Sequence, residues 1–226
     1  PINFNSPYKS KSLVEFWKRW HITLSDFLNH YLYVPLLRAQ KHITFSIAMG
    51  ITFFVMFISG VWHGAGWGFL VWGCLHGVGL IMNHVWTKYG FKLPMHMPWL
   101  ITNLFIMVAL VFFRADDIYS AAQILKNMFG LNGVVLPYSI ESWVPEWLNG
   151  SVSYRTNFLQ AINFNAYAAV LLFTGLATVL FCKNTTEITK NFSPTNSSLL
   201  GIAILLCIAF VTMASAPTID FIYYEF

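Results

Sequence analysis

The chain has 226 residues, of which 57% are hydrophobic, 18% aromatic and only 10% charged, with a mean hydropathy of +0.59 and a formal net charge of +4. A soluble globular domain carries about 25% charged residues, so the composition excludes an ordinary water-soluble domain and indicates an integral membrane protein. No basic run is interleaved with stacking aromatics in a polar domain, which excludes a nucleic-acid surface. The three cysteines, Cys74, Cys182 and Cys207, are dispersed in or beside apolar runs; an odd, scattered set forms neither a disulfide framework nor a metal spacing.

The chain opens on Pro1-Ile2-Asn3-Phe4-Asn5-Ser6-Pro7, polar and turn-rich, without an initiator methionine or an apolar leader. It reads as the C-terminal part of something longer. Ser12-Leu13-Val14-Glu15 fits a capping box, in which Ser12 and Glu15 satisfy each other's free backbone donors. A helix is expected from Leu13 to about Leu28, amphipathic and aromatic, with Phe16, Trp20, Leu24 and Phe27 at helical spacing. It is too polar for a simple crossing and belongs at the interface or beside a polar cavity. Pro35 is expected to break the chain after Tyr31-Leu32-Tyr33-Val34.

Five stronger apolar segments follow, at about 43–61, 67–86, 98–113, 164–182 and 199–216; crossing a bilayer takes roughly 20 residues. The fold class is therefore all-α, a polytopic transmembrane bundle of about five membrane segments plus an interfacial amphipathic helix. Between the third and fourth segments, 114–163 reads as an interfacial loop or partial lid, with a short helix at Ala121–Met128 and with Trp143 and Trp147 beside Pro137 and Pro145. Arg114-Ala115-Asp116-Asp117 reads as an anchor at the membrane edge.

Charge sets the expected topology. Residues 1–42 hold Lys9, Lys11, Lys18, Arg19, Arg38 and Lys41; the 87–97 loop holds Lys88 and Lys92, and the 183–198 loop holds Lys183 and Lys190. Five crossings put these three regions on one side, which the positive-inside rule makes cytoplasmic, with 114–163 outside. If 43–61 and 67–86 instead form a re-entrant hairpin, the later placements survive, because a hairpin returns to its starting side. The expected organisation is 1–42 cytoplasmic, 43–113 a hairpin and the next helix, 114–163 an outer loop and 164–226 the last two helices.

His63 is the residue hardest to place without a function. It sits in Ser59-Gly60-Val61-Trp62-His63-Gly64-Ala65-Gly66-Trp67, between two apolar runs, and an ionisable side chain at such a place is costly and a functional candidate by default. His21, on the aromatic helix, is its best partner; Trp17 four residues earlier would share its face. Desolvation keeps an imidazole neutral and available as a base. Such a base can take a hydroxyl proton while that oxygen attacks a thioester or ester carbonyl. His76, in Trp72-Gly73-Cys74-Leu75-His76-Gly77, either supports the site or packs. No G-x-S-x-G elbow or H-E-x-x-H zinc pattern is present. The plainer alternative is that each histidine simply bonds a neighbouring helix.

Two stretches resemble one family. Residues 12–25, Ser-Leu-Val-Glu-Phe-Trp-Lys-Arg-Trp-His-Ile-Thr-Leu-Ser, running on to Tyr31-Leu32-Tyr33-Val34-Pro35-Leu36, resemble a signature of the membrane-bound O-acyltransferases. Residues 59–67 and the block Leu70 to Gly77 resemble that family's second motif; Phe112-Phe113-Arg114-Ala115 and Phe221-Ile222-Tyr223-Tyr224-Glu225-Phe226 are also similar. The similar branch includes bacterial proteins of alginate O-acetylation, peptidoglycan O-acetylation and teichoic-acid D-alanylation. The resemblance implies that His63 is the catalytic histidine of a membrane tunnel and His21 the second histidine of the site. It also implies that the chain is the C-terminal part of a larger ring-like membrane domain. Two departures stand out: Pro35-Leu36-Leu37-Arg38 replaces a usual Pro-Leu-Gly-Gly, and Glu225 replaces a usual Gln.

On this resemblance the expected activity is acyl transfer, most simply of acetyl, from a cytoplasmic thioester such as acetyl-CoA towards hydroxyls of an extracytoplasmic polysaccharide. The expected location is the bacterial inner membrane. Trp17, Trp20, Trp62 and Trp67 would wall the tunnel against water; no metal is required. A partner acetyltransferase on the outer side would finish the transfer, and the fragment alone would be inactive. The alternatives are a non-catalytic acyl-group channel or transporter subunit with a histidine relay, and a purely structural helical half.

Overall fold

The computed structural model describes residues 2–90, 93–143, 145, 152–155, 166–190 and 192–215. Lys92, Trp147 and the Phe221–Phe226 terminus, all singled out in the sequence, lie outside the described residues. The chain divides into two compact units, Pro1–Cys182 and Lys183–Phe226.

In the first unit the helices are α1 (Leu13–Trp17), α2 (Ile22–Leu28), α3 (Val34–Arg38), α4 (Phe45–His63), α5 (Trp67–Tyr89), α6 (Met97–Arg114), α7 (Ile118–Met128) and α8 (Ala166–Phe181). In the second they are α9 (Thr185–Lys190) and α10 (Asn196–Ser215). The all-α class expected from composition holds. Among the described residues four helices, α4, α5, α6 and α10, are long and apolar enough to cross a membrane, at 19, 23, 18 and 20 residues. The fifth expected crossing appears as α8, 16 residues within the described range. α10 has no buried residue, and an apolar helix bare on every side suits lipid rather than water.

The helix expected over Leu13–Leu28 is two helices. Ser12 caps α1 by accepting from the Glu15 amide at 3.0 Å; Glu15 itself accepts from the Lys11 amide at 2.8 Å, one residue before the cap. α1 then stops at Trp17, and the chain turns through His21, whose φ of 44° is left-handed. The break is held by the chain's own opening segment. The Asn5 amide donates to the Arg19 carbonyl (2.8 Å), the Ile22 amide to the Asn3 carbonyl (2.9 Å), and the Arg19 guanidinium to the Asn5 carbonyl (3.2 Å). These bonds use backbone groups that a continuous helix would have paired with itself. Trp17 and His21 therefore do not share a helix face.

Pro35 does not interrupt the chain as expected. A π-helical turn at Asn29–Tyr33 leads directly into α3, with Pro35 in its first turn, where a missing N–H is tolerated. The 114–163 stretch holds more structure than a loop. Asp117, read as part of a membrane-edge anchor, caps α7 by accepting from the Ser120 amide at 2.6 Å, and these bonds hold its carboxyl below the usual range. Val134–Pro137 (β1) pairs in parallel with Val152–Arg155 (β2).

α4 and α5 form an antiparallel hairpin joined by Gly64-Ala65-Gly66. Gly64 lies at φ 152°, ψ 168°, a region essentially reserved for glycine. The helices meet at glycines: a Cβ on Gly73 would stand 2.7 Å from the Met56 carbonyl oxygen and 3.1 Å from the Gly60 Cα. At the far end the Lys88 ammonium lies 4.3 Å from the centre of the Phe45 ring. α1 and α6 complete the core, where Leu13, Phe16, Trp17, Met56, Trp72, Leu80, Ile106 and Ala109 are buried together.

Gly73→Val should force the hairpin apart and cost at least about 1–3 kcal/mol, the range for overpacking. Gly50, with nothing within 4 Å of an added Cβ, should tolerate alanine. Thermal unfolding of the full-length protein in detergent checks both; equal melting points for the two variants would contradict this packing.

Candidate functional site

His63 ends α4, and its side chain is 6% exposed. Its ring sits among Trp72 at 5.2 Å (88° between planes), Phe113 at 4.9 Å (80°), Phe69 at 6.3 Å and Trp62 at 4.8 Å. These are mostly edge-to-face contacts, which orient a ring without hydrogen bonding it. Its Nδ1 is buried and has no hydrogen-bond partner among the described residues. One turn earlier, Ser59 is fully buried and its hydroxyl is likewise without a partner among them. Buried polar atoms are nearly always paired, so such exceptions mark strain or chemistry.

Trp72 is shared with a second imidazole. His76, 2% exposed, lies 4.8 Å from Trp72 and 5.5 Å from Phe105. Its Nδ1 accepts a hydrogen bond from the Trp17 indole N–H at 3.2 Å. An indole nitrogen only donates, so neutral His76 carries its proton on Nε2. His76 thus does more than pack: it ties α1 to α5 from inside the core. Two further bonds fasten the same region. The Val14 amide donates to the Asn83 side-chain oxygen (3.1 Å), and the Trp99 indole donates to the Tyr8 carbonyl (2.8 Å).

His21 stands at the start of α2 in its left-handed conformation. Non-glycine residues rarely hold that shape without a local cause, and such strain clusters at functional sites. Its Nδ1 faces the Asn3 side-chain oxygen at 3.2 Å. Partial burial pushes its pKa below the usual histidine range, against a smaller opposing contribution from its own backbone. The two histidines singled out in the sequence are linked to one aromatic core, His63 through Trp72 and His21 through Phe4 and Trp20, which stacks on Phe16.

The four tryptophans divide. Trp17 is buried but meets His76, Trp72 and Phe16. Trp20 stacks on Phe16 at 5.7 Å and packs on Phe4 and Tyr8. Trp62 and Trp67 are 61% and 74% exposed; the Trp62 ring nevertheless lies 4.8 Å from that of His63. The rest of the enclosure around His63 comes from Phe69, Trp72 and Phe113, which sequence reasoning did not select. A signal existed: Phe69, Trp72 and His76 recur at 0, 3 and 7 along α5, one helix face.

An imidazole walled by aromatic edges, with a second neutral imidazole nearby, can accept a proton in a medium that excludes water. Residues 1–122 match the MBOAT, or membrane-bound O-acyltransferase, family. Over its whole length the chain is 37% identical to a peptidoglycan O-acetyltransferase of Helicobacter pylori, covering 43% of that protein. It is 36% identical, over 56% of its length, to a probable alginate O-acetylase of Pseudomonas aeruginosa, covering 24% of it. It is 34% identical, over 39% of its length, to a teichoic acid D-alanyltransferase of Streptococcus thermophilus, covering 22% of it. The chain spans less than half the length of these curated relatives.

Trp17→Phe keeps the ring and deletes the donor, leaving the His76 nitrogen buried and unpaired. It should destabilise by about 1–3 kcal/mol, the cost of an unsatisfied buried group. Trp67→Phe, at an exposed position, should be near neutral. Comparing the two melting temperatures checks this, and equal values would contradict the role of the bond.

Proposed function

Because the chain belongs to the membrane-bound O-acyltransferase family, we propose that it carries the histidine site of an enzyme that acetylates a cell-envelope polysaccharide. The observation that carries this reading is His63: a buried imidazole at the end of a membrane-length helix, ringed by aromatics, with an unpaired nitrogen among the described residues. The acyl donor is a thioester, acetyl-CoA in the simplest case, reaching the site from the cytoplasmic face. There Lys9, Lys11, Lys18 and Arg19 attract its phosphates. Peptidoglycan is the favoured acceptor, because the Helicobacter pylori relative aligns with the whole chain and the alginate relative with little more than half. A partner protein on the outer side would complete transfer to the glycan.

In this reading His63 takes the proton of the attacking hydroxyl while His21 assists it. The thioester carbonyl carbon gains the new C–O bond and loses the C–S bond; the thiolate leaves and takes up the proton. Phe69, Trp72 and Phe113 keep water from the thioester, which would otherwise hydrolyse. A neutral base beside an apolar wall is what such a step requires.

His63→Ala in the full-length protein should abolish acetate on the cell-envelope polysaccharide, while His42→Ala, in an exposed loop, should leave it unchanged. Normal acetylation by His63→Ala at normal protein levels would overturn the catalytic reading. The pH profile adds a second check. Burial lowers the pKa of His21 from its ordinary value, so the neutral ring persists to lower pH than in free histidine. The acidic limb of the transfer rate should therefore lie below the ordinary histidine value; a limb at or above that value would contradict a role for neutral His21.

A further inference from the structure

The His21 ring is held at one nitrogen by a residue that nothing so far has placed in the site. The Asn3 side-chain oxygen lies 3.2 Å from His21 Nδ1, 3.2 Å from the Thr23 amide nitrogen and 2.9 Å from the Thr23 hydroxyl. The identity of the atom that faces His21 follows from the second contact. A backbone N–H can only donate, so the Asn3 atom facing it is the carbonyl oxygen and not the amide nitrogen. A carbonyl oxygen cannot donate, so His21 Nδ1 must. The one competing arrangement has the Thr23 hydroxyl donating to Nδ1. That contact is 3.5 Å, against 2.9 Å to Asn3, and the single hydroxyl proton goes to the shorter one.

Asn3 is itself fixed from two directions. Its backbone carbonyl accepts from the Ile22 amide at 2.9 Å, and its side chain accepts from the Thr23 amide, so it clasps the first turn of α2 immediately after His21. The Phe4 ring, next in the chain, lies 6.1 Å from the imidazole. The left-handed turn at His21 is what lets residues 21 to 23 present one ring and two donors to a single side chain.

We propose that Asn3 is a positioning residue for His21: its carbonyl holds the proton on Nδ1 and leaves Nε2 as the basic nitrogen. The proposal rests on the reading that His21 takes part in acyl transfer, although its primary test does not measure activity. In free histidine the Nε2-protonated form predominates, so the contact reverses the default. While His63 takes the proton of the reacting hydroxyl, Nε2 of His21 stays free to accept a hydrogen bond and Nδ1–H stays on the Asn3 carbonyl.

The test is nitrogen NMR of the full-length protein labelled at the histidine ring nitrogens, with His21→Gln identifying the signal. The wild type should show a protonated Nδ1 and an unprotonated Nε2 at His21. Asn3→Leu should shift the ring towards the Nε2-protonated form. It should also slow transfer by about 10- to 100-fold, part of the 10²–10⁴ that general acid–base catalysis contributes. Asn3→Asp, which keeps an acceptor oxygen for His21 and Thr23, should restore the Nδ1-protonated form and much of the rate. An Nε2-protonated His21 in the wild type, or an unchanged tautomer in Asn3→Leu, would overturn the proposal. If Asn3→Leu does not fold, the wild-type and Asn3→Asp spectra decide alone. An Nδ1 proton lost in Asn3→Leu, in a protein whose transfer rate ignores His21→Ala, would uphold Asn3 and overturn the role of His21.

Discussion

The contact between Gly60 of α4 and Gly73 of α5 sets the distance on which the site depends. With no side chain on either, the two backbones meet, and any Cβ at Gly73 would strike the Met56 carbonyl. Trp72, beside Gly73, is thereby brought against His63 at the end of the opposite helix. Close helix approach through small residues is how membrane helices gain packing energy when lipid is as apolar as their own side chains. Here the same approach also walls an imidazole.

From Trp72 the arrangement extends one turn to His76 and across to Trp17 of α1. In apolar surroundings a hydrogen bond lacks competition from water and an unpaired partner is costly. The Trp17–His76, Val14–Asn83 and Trp99–Tyr8 bonds therefore fix the region before α4 onto α5 and α6 more firmly than three surface contacts would. That region carries His21. Both histidines are anchored to the same hairpin, His63 covalently and His21 through α1 and the turn clasped by Asn3.

Much of this was legible in the residues. Long apolar runs predicted α4, α5, α6 and α10 with boundaries close to those observed, because length and hydropathy suffice where the solvent is lipid. His63 and His21 were visible as expensive or motif-borne polar residues. What periodicity could not show was the break between Trp17 and Ile22. Local spacing favours one helix, and only the pairing of Asn3 and Asn5 with residues 19–22 makes two. The rings around His63 were only partly legible, for a related reason. Trp62 neighbours His63 in sequence as well as in space, whereas Phe69, Trp72 and Phe113 reach it only through the packing of α5 and α6 against α4. The cap at Asp117 and the β1–β2 pair were hidden in a stretch that read as loop.

The central claim is that His63 and His21 act on one proton-transfer step as a unit. A double-mutant cycle tests it most directly. Transfer of labelled acetyl to envelope polysaccharide is measured for wild type, His21→Ala, His63→Ala and the double variant of the full-length protein. Groups that act together are strongly non-additive, so the double variant should be no slower than His63→Ala alone. A double variant whose loss equals the product of the two single losses would show that the histidines work independently and would contradict the account.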